Sequence, residues 1–124
     1  MAKLNDAGIE VSLFIDADMN QIQAAHEIGA PVIELHTGEY ANAVTPEQMH
    51  SELERLEEAI VFAQGLGLVV NAGHGLTKFN VGAIAAIDGM NELNIGHSLV
   101  ARALMVGLPQ AVGEFRAIMD RACL

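Results

Sequence analysis

The sequence predicts an α/β fold: four βα units on a parallel sheet, followed by a terminal helix. Two observations carry this. Four short apolar runs, Val11–Ile15, Val32–His36, Leu68–Asn71 and Leu93–Ile95, are each bounded by Gly, Pro or a charged residue, the pattern of strands buried on both faces. Between them lie segments of helical period, so strands and helices alternate, as crossover connections between parallel strands require.

Lys3–Gly8 reads as the last turn of a helix with Gly8 as its cap, which leads to the expectation that a segment precedes it. After the first strand, Asp18–Ile28 is helical, with Ile22, Ala25 and Ile28 on one side, and Gly29 and Pro31 stop it. Thr45 is a good helix cap, with Pro46 at the first helical position and Gln48 completing a capping box. The stripe Met49, Leu53, Leu56, Ile60 and Ala63 follows, ended by Gly65 and Gly67. Asn80 is the expected cap of a short helix through Ala83, Ile84 and Ile87. Ser98–Val106 reads as a buried helix, and Pro109 opens a last one with Val112, Phe115, Met119 and Ala122 on one face. No linker or low-complexity stretch divides the chain, so residues 1–124 are read as a single domain.

Composition narrows the function. Of the 124 residues 52% are apolar and 18% charged, as in a globular protein. A net charge of −10 with no basic stripe disfavours nucleic acid as a partner. It leaves room for small phosphorylated ligands held by backbone amides. The single Cys123 cannot form an internal disulfide and reads as a reduced, cytoplasmic thiol. No run approaches the roughly 18 apolar residues of a membrane span, and no secretory signal opens the chain.

Polar residues gather where the strands end. The first end carries Asp16 and Asp18, the second Glu34, His36 and Thr37-Gly38, the third Asn71, Gly73, His74 and Gly75, the fourth Asn94, Gly96 and His97. Ligands of parallel α/β folds bind at this carboxyl edge. Asn71-Ala72-Gly73-His74 and Asn94-Ile95-Gly96-His97 repeat one pattern, Asn-x-Gly-His. Glycines let the backbone approach a ligand, and amides opening the next helix can grip a phosphate. Glu34 within an apolar run is costly unless paired or functional. His36 shares its face and either orients Glu34, bonds backbone or takes part in chemistry. Asp16 and Asp18 read as caps of the next helix, and His26 and His50 as solvated. A metal site built from Asp16, Glu34, His36, His74 and His97 is a rival, but His-x-His and HExxH spacings are missing.

These segments resemble the pyridoxine 5'-phosphate synthase family. The matching stretches are Val11–Asp18, Ile33–Gly38, Val70–Thr77 and Glu92–His97, in the family's order and spacing. The resemblance implies a (β/α)₈ TIM barrel, of which this chain supplies strands five to eight, a half-barrel plus a C-terminal helix. It implies condensation of 3-amino-2-oxopropyl phosphate with 1-deoxy-D-xylulose 5-phosphate, without metal or organic cofactor, in a cytoplasmic homo-octamer. It assigns proton donation to His74, transition-state stabilisation to Glu34, and the aminoketone phosphate to Gly75, Gly96 and His97. The family's other acid–base Glu and His, and most contacts to deoxyxylulose phosphate, have no counterpart here. The expectation is therefore a chain with little activity alone, whose open sheet edges associate. The alternatives are a non-catalytic phosphate-binding half-barrel and a different phosphate-handling barrel enzyme.

Overall fold

The four expected strands form one parallel sheet in the order β1-β2-β3-β4. The computed structural model describes residues 1–123, in the order α1 (Ala2–Asp6), β1 (Ser12–Ile15), α2 (Met19–Glu27), β2 (Val32–His36), α3 (Gly38–Asn42), α4 (Pro46–Gly65), β3 (Val69–Gly73), α5 (Val81–Ala85), β4 (Glu92–Asn94), α6 (His97–Val106) and α7 (Leu108–Ala122). Sequential parallel pairing with helical crossovers is the arrangement of half a (β/α)₈ barrel.

Local chemistry sets most boundaries. The Asp18 carboxylate accepts from the amides of Asn20 and Gln21, both at 3.0 Å, and starts α2. Thr45 Oγ1 accepts from the Gln48 amide at 3.2 Å to start α4, and the Gln48 side chain accepts from Val44 N–H at 3.1 Å, one residue earlier than the expected box. Three helices end alike. The amide of the first residue past the cap bonds three residues back into the last turn, and the next amide bonds to the carbonyl one residue deeper: Gly8 to Asn5 and Ile9 to Leu4 after α1, Gly29 to His26 and Ala30 to Ala25 after α2, Gly67 to Gln64 and Leu68 to Ala63 after α4. This Schellman closure needs a left-handed residue, which glycine supplies, and delivers the chain into the next strand within a few residues.

The sheet is covered on one side only, which departs from the expectation of strands buried on both faces. Leu13, Ile15, Ile33, Leu35, Val70, Ala72 and Leu93 point into the core with Ile22, Leu56, Ile60 and Ile84. The alternate residues point away from the helices. Of these, Phe14 is 55% exposed and Val69 43%. The period of two along a strand makes this partition unavoidable once helices lie on a single face.

Several smaller expectations are corrected. β3 runs on to Gly73, and β4 is Glu92–Asn94 rather than Leu93–Ile95. The apolar run marks where a strand is buried, while pairing follows the ladder, in which Asn71 faces Glu92 and Gly73 faces Asn94. Asn80 occupies the cap position of α5, but its side chain accepts from Thr77 N–H at 2.7 Å and donates to Gly75 O, so it braces the preceding loop instead. Ile28, Met49, Ala83 and Val112 are exposed, and Ala111 takes the core position expected of Val112. α6 has no fully buried residue: Leu104 is 84% exposed and Met105 80%. It packs on α7 at the β4 edge of the sheet, with Val100, Leu104 and Met105 facing away. The short helix α3 has no counterpart in the sequence reading. Its Tyr40 is buried, donates from its hydroxyl to Asn80 O at 2.8 Å, and has a phenol pKa raised by burial.

A partly buried ion pair locks α6 to α7. Arg102 donates twice to the Glu114 carboxylate, at 2.9 and 2.8 Å, and Gln110 adds a third bond at 3.2 Å. Those bonds, Arg102 first, pull the Glu114 carboxyl down to about 2 from the ordinary 4.5. A depressed carboxyl stabilises the fold fully above its unfolded value and loses that contribution as the pH falls toward the folded one. Glu114→Gln should therefore lower the thermal midpoint at neutral pH. The gap to the parent should close between pH 4.5 and about 2, as followed by circular dichroism.

Candidate functional site

Register brings the polar strand ends together. Phe14, Glu34, Asn71 and Glu92 are consecutive partners across the sheet, and His36, Gly73 and Asn94 form the next layer toward the carboxyl edge. Glu34 and His36 lie two apart on β2 and so share the uncovered face. Asn71 is buried in this layer, where it accepts a bond from the Asn91 side chain at 2.9 Å.

Gly73 makes room for Glu34. A Cβ there would overlap the Glu34 carboxylate and come within 2.8 Å of the Asn94 carbonyl oxygen. The carboxylate thus rests across the end of β3. Among the described residues no Arg, Lys or His pairs with it. Glu34 is half-buried and open to the cleft, not tied into a helix–sheet seam.

His74 follows with φ of 87°, the one non-glycine residue with positive φ among those described. Such a backbone costs roughly 1–3 kcal/mol and persists only where the surroundings enforce it. Thr37, fully buried at the end of β2, meets both flanking carbonyls: its hydroxyl lies 2.8 Å from Gly73 O and 2.7 Å from His74 O, and its amide donates to Gly73 O at 2.8 Å. The His74 ring stacks on His36 with centroids 4.6 Å apart and planes at 26°. Phe14 meets the other ring neighbour edge-on, 5.3 Å from His36. His36 Nδ1 lies 4.0 Å from the Asp16 carboxylate. His36 is therefore the stacking partner of His74, a placement that its sequence position did not suggest.

The second Gly-His tip stands beside the first. Gly96 caps α6 and His97 is its first residue. Glu34, His74, Gly75, Gly96 and His97 all line one cleft of about 530 Å³, so the five predicted site residues are brought together. Gly75 has φ of 74° and sits against Ala41 of α3, where a Cβ would come within 2.6 Å of the Ala41 methyl. A Cβ at Gly96 meets nothing, so packing within this chain does not demand glycine there. The first amides of α6 lack intrahelical acceptors, and Gly96, His97 and Ser98 line the cleft, an end of the helix where its dipole favours negative charge. Ser98 donates its hydroxyl to Leu76 O and ties this helix start to the loop after β3. No Lys or Arg lines the cleft; besides Glu34, backbone amides, two imidazoles and the Thr77, Asn94 and Ser98 side chains supply its polar groups.

Asp18 is a cap, as expected, while Asp16 faces His36. His26 and His50 are exposed on helices, His50 paired with Glu54 at 3.2 Å. Among the described residues no three His, Cys, Asp or Glu side chains converge as a metal would require. The sequence reading missed Phe14 and the structural part of Thr37. The available signals were a lone aromatic on the alternate side of an apolar strand, and a hydroxyl directly after one.

Comparison with known proteins agrees with the resemblance. The family model described as pyridoxal phosphate biosynthesis protein PdxJ matches residues 1–121. Two pyridoxine 5'-phosphate synthases, from Neisseria meningitidis serogroup C / serotype 2a and from Neisseria meningitidis serogroup C, are each 60% identical over 121 residues. The match covers 98% of this chain and 50% of each relative, so the chain spans about half the length of the curated relatives it matches.

The Gly73 contact is open to test. Gly73→Ala should cost about 1–3 kcal/mol in urea unfolding, because the Cβ would come within 2.8 Å of the Asn94 carbonyl oxygen, a backbone atom held by the sheet, and displace the Glu34 carboxylate as well. Gly96→Ala, whose Cβ meets empty space, should change stability by no more than about 0.5 kcal/mol.

Proposed function

The chain belongs to the pyridoxal phosphate biosynthesis protein PdxJ family, and on that footing we propose that it provides half of a pyridoxine 5'-phosphate synthase active site. The observation that carries this is the meeting of both Gly-His tips and Glu34 in one cleft at the start of α6. The reaction is a transferase condensation of 3-amino-2-oxopropyl phosphate with 1-deoxy-D-xylulose 5-phosphate, giving pyridoxine 5'-phosphate, inorganic phosphate and water.

In this reading the aminoketone phosphate lies at the start of α6, where the amides around Gly96 and His97, with Gly75 opposite, hold its oxygens. Binding energy from the phosphate fixes the amine and ketone carbons near Glu34 and His74, which reduces the entropy lost on reaching the transition state. Joining amine to ketone and closing the ring break carbon–oxygen bonds: hydroxyl groups leave as water once protonated, and one of the two phosphate esters leaves as inorganic phosphate. His74, which matches the family's proton donor and lines the cleft with Glu34, is the donor in this scheme. The Glu34 carboxylate, with no cation of its own, balances positive charge that develops on the substrate nitrogen. No metal or organic cofactor enters the scheme. We place the protein in the cytoplasm, as a homo-oligomer.

A second reading is favoured by the half-length match and the uncovered sheet face: the chain alone is a phosphate-binding half-barrel without turnover. One experiment separates the two. The purified chain is titrated with 3-amino-2-oxopropyl phosphate, and pyridoxine 5'-phosphate formation is followed with and without the amino-terminal half of a Neisseria relative. Binding by the chain alone, with turnover only after complementation, is the expected result. In the complemented enzyme His74→Asn should lower kcat about 10²–10⁴-fold while leaving phosphate binding near the parent level. Binding without turnover in either case would favour the second reading. Robust turnover by the chain alone would refute the half-site assignment.

A further inference from the structure

The two peptide planes that flank the His74 Cα are held by one side chain. The Gly73 carbonyl lies in the plane before that carbon and the His74 carbonyl in the plane after it. Rotation between these planes is the φ and ψ of His74. Thr37 Oγ1 stands 2.8 Å from the first oxygen and 2.7 Å from the second. The Thr37 amide, donating to Gly73 O at 2.8 Å, anchors the first plane independently. A single hydroxyl proton shared between two carbonyl oxygens removes their mutual repulsion and fixes their separation, and with it the angle between the planes. Thr37 is wholly buried, so water cannot take over this task.

We infer that Thr37 is a positioning residue: its hydroxyl locks His74 in the left-handed conformation that aims the imidazole into the cleft and onto the His36 ring. The stack at 4.6 Å and 26° is the visible outcome of that lock. Left to itself a histidine leaves this region of backbone space, and its ring then swings away from both Glu34 and His36. The inference rests on the reading of His74 as the proton donor for its functional meaning, but not for its geometry.

The test uses Thr37→Val, which keeps the shape and removes the proton, Thr37→Ser, which keeps the hydroxyl, and His74→Gly, which frees the backbone from strain. Urea unfolding of the whole chain gives a double-mutant cycle. The loss caused by Thr37→Val should shrink to half or less when His74→Gly is also present, since glycine adopts positive φ unaided. Side-chain NMR gives the second readout. The upfield ring-proton shifts that stacking gives His36 and His74 should vanish in Thr37→Val and persist in Thr37→Ser. An equal loss with and without His74→Gly, or ring signals unmoved by Thr37→Val, overturns the inference. Should Thr37→Val alone fail to fold, rescue of folding by adding His74→Gly supports it and absence of rescue overturns it. Neither readout involves turnover, so an error in the chemical role of His74 appears in the complemented assay and leaves this result standing.

Discussion

A strand has two faces, and β2 assigns a different task to each. Ile33 and Leu35 go to the helices, while Glu34 goes to the cleft and His36 to the His74 ring that lines it. The rest of the site follows from that alternation and from parallel register. With Glu34 level with Asn71, and His36 level with Gly73, the space over Gly73 falls open to the Glu34 carboxylate. A shift of one residue in β2 would send both polar groups into the apolar layer. The burial of Ile33 and Leu35, neither with any exposed surface, therefore holds the chemistry in place from behind.

Charge explains why the cleft is built from backbone. A chain of net charge −10 repels anions at long range, and no Lys or Arg lines the cleft. In the proposed reading, selectivity for a phosphate then comes from short-range donors whose geometry is fixed: the first amides of α6 and the imidazoles beside them. Such donors need rigid support, which the structure supplies through Ser98 on Leu76 and Arg102 on Glu114.

Much of this was legible in the residues. Capping by Asp18 and Thr45, the glycine stops, and four strands in parallel order follow from local rules that act within a few residues. The clustering of Glu34 with both Gly-His tips was also readable, because every parallel strand ends at the same edge. What escaped the sequence depends on partners distant in the chain. The exposure of α6 reflects its place at the sheet edge, not its apolar composition. α3 is too short for a periodic signal. Thr37 looks like any loop hydroxyl until β3 arrives beside it, 36 residues later. The strain at His74 has no signature in residue type at all, since it arises from the bridge made by that same threonine.

The helix endings have a broader meaning. After α1, α2 and α4 the chain enters the next strand through one recurring pair of amide bonds, made by backbone and dependent on residue type only at the left-handed glycine. Those joints lie at the amino edge of the sheet, and the groups that line the cleft lie at the carboxyl edge. Assembly and chemistry thus occupy opposite rims of one scaffold. Mutational drift or deliberate rewriting at the first rim can proceed without disturbing the second, and the joints serve as natural seams at which whole βα modules can be exchanged between relatives.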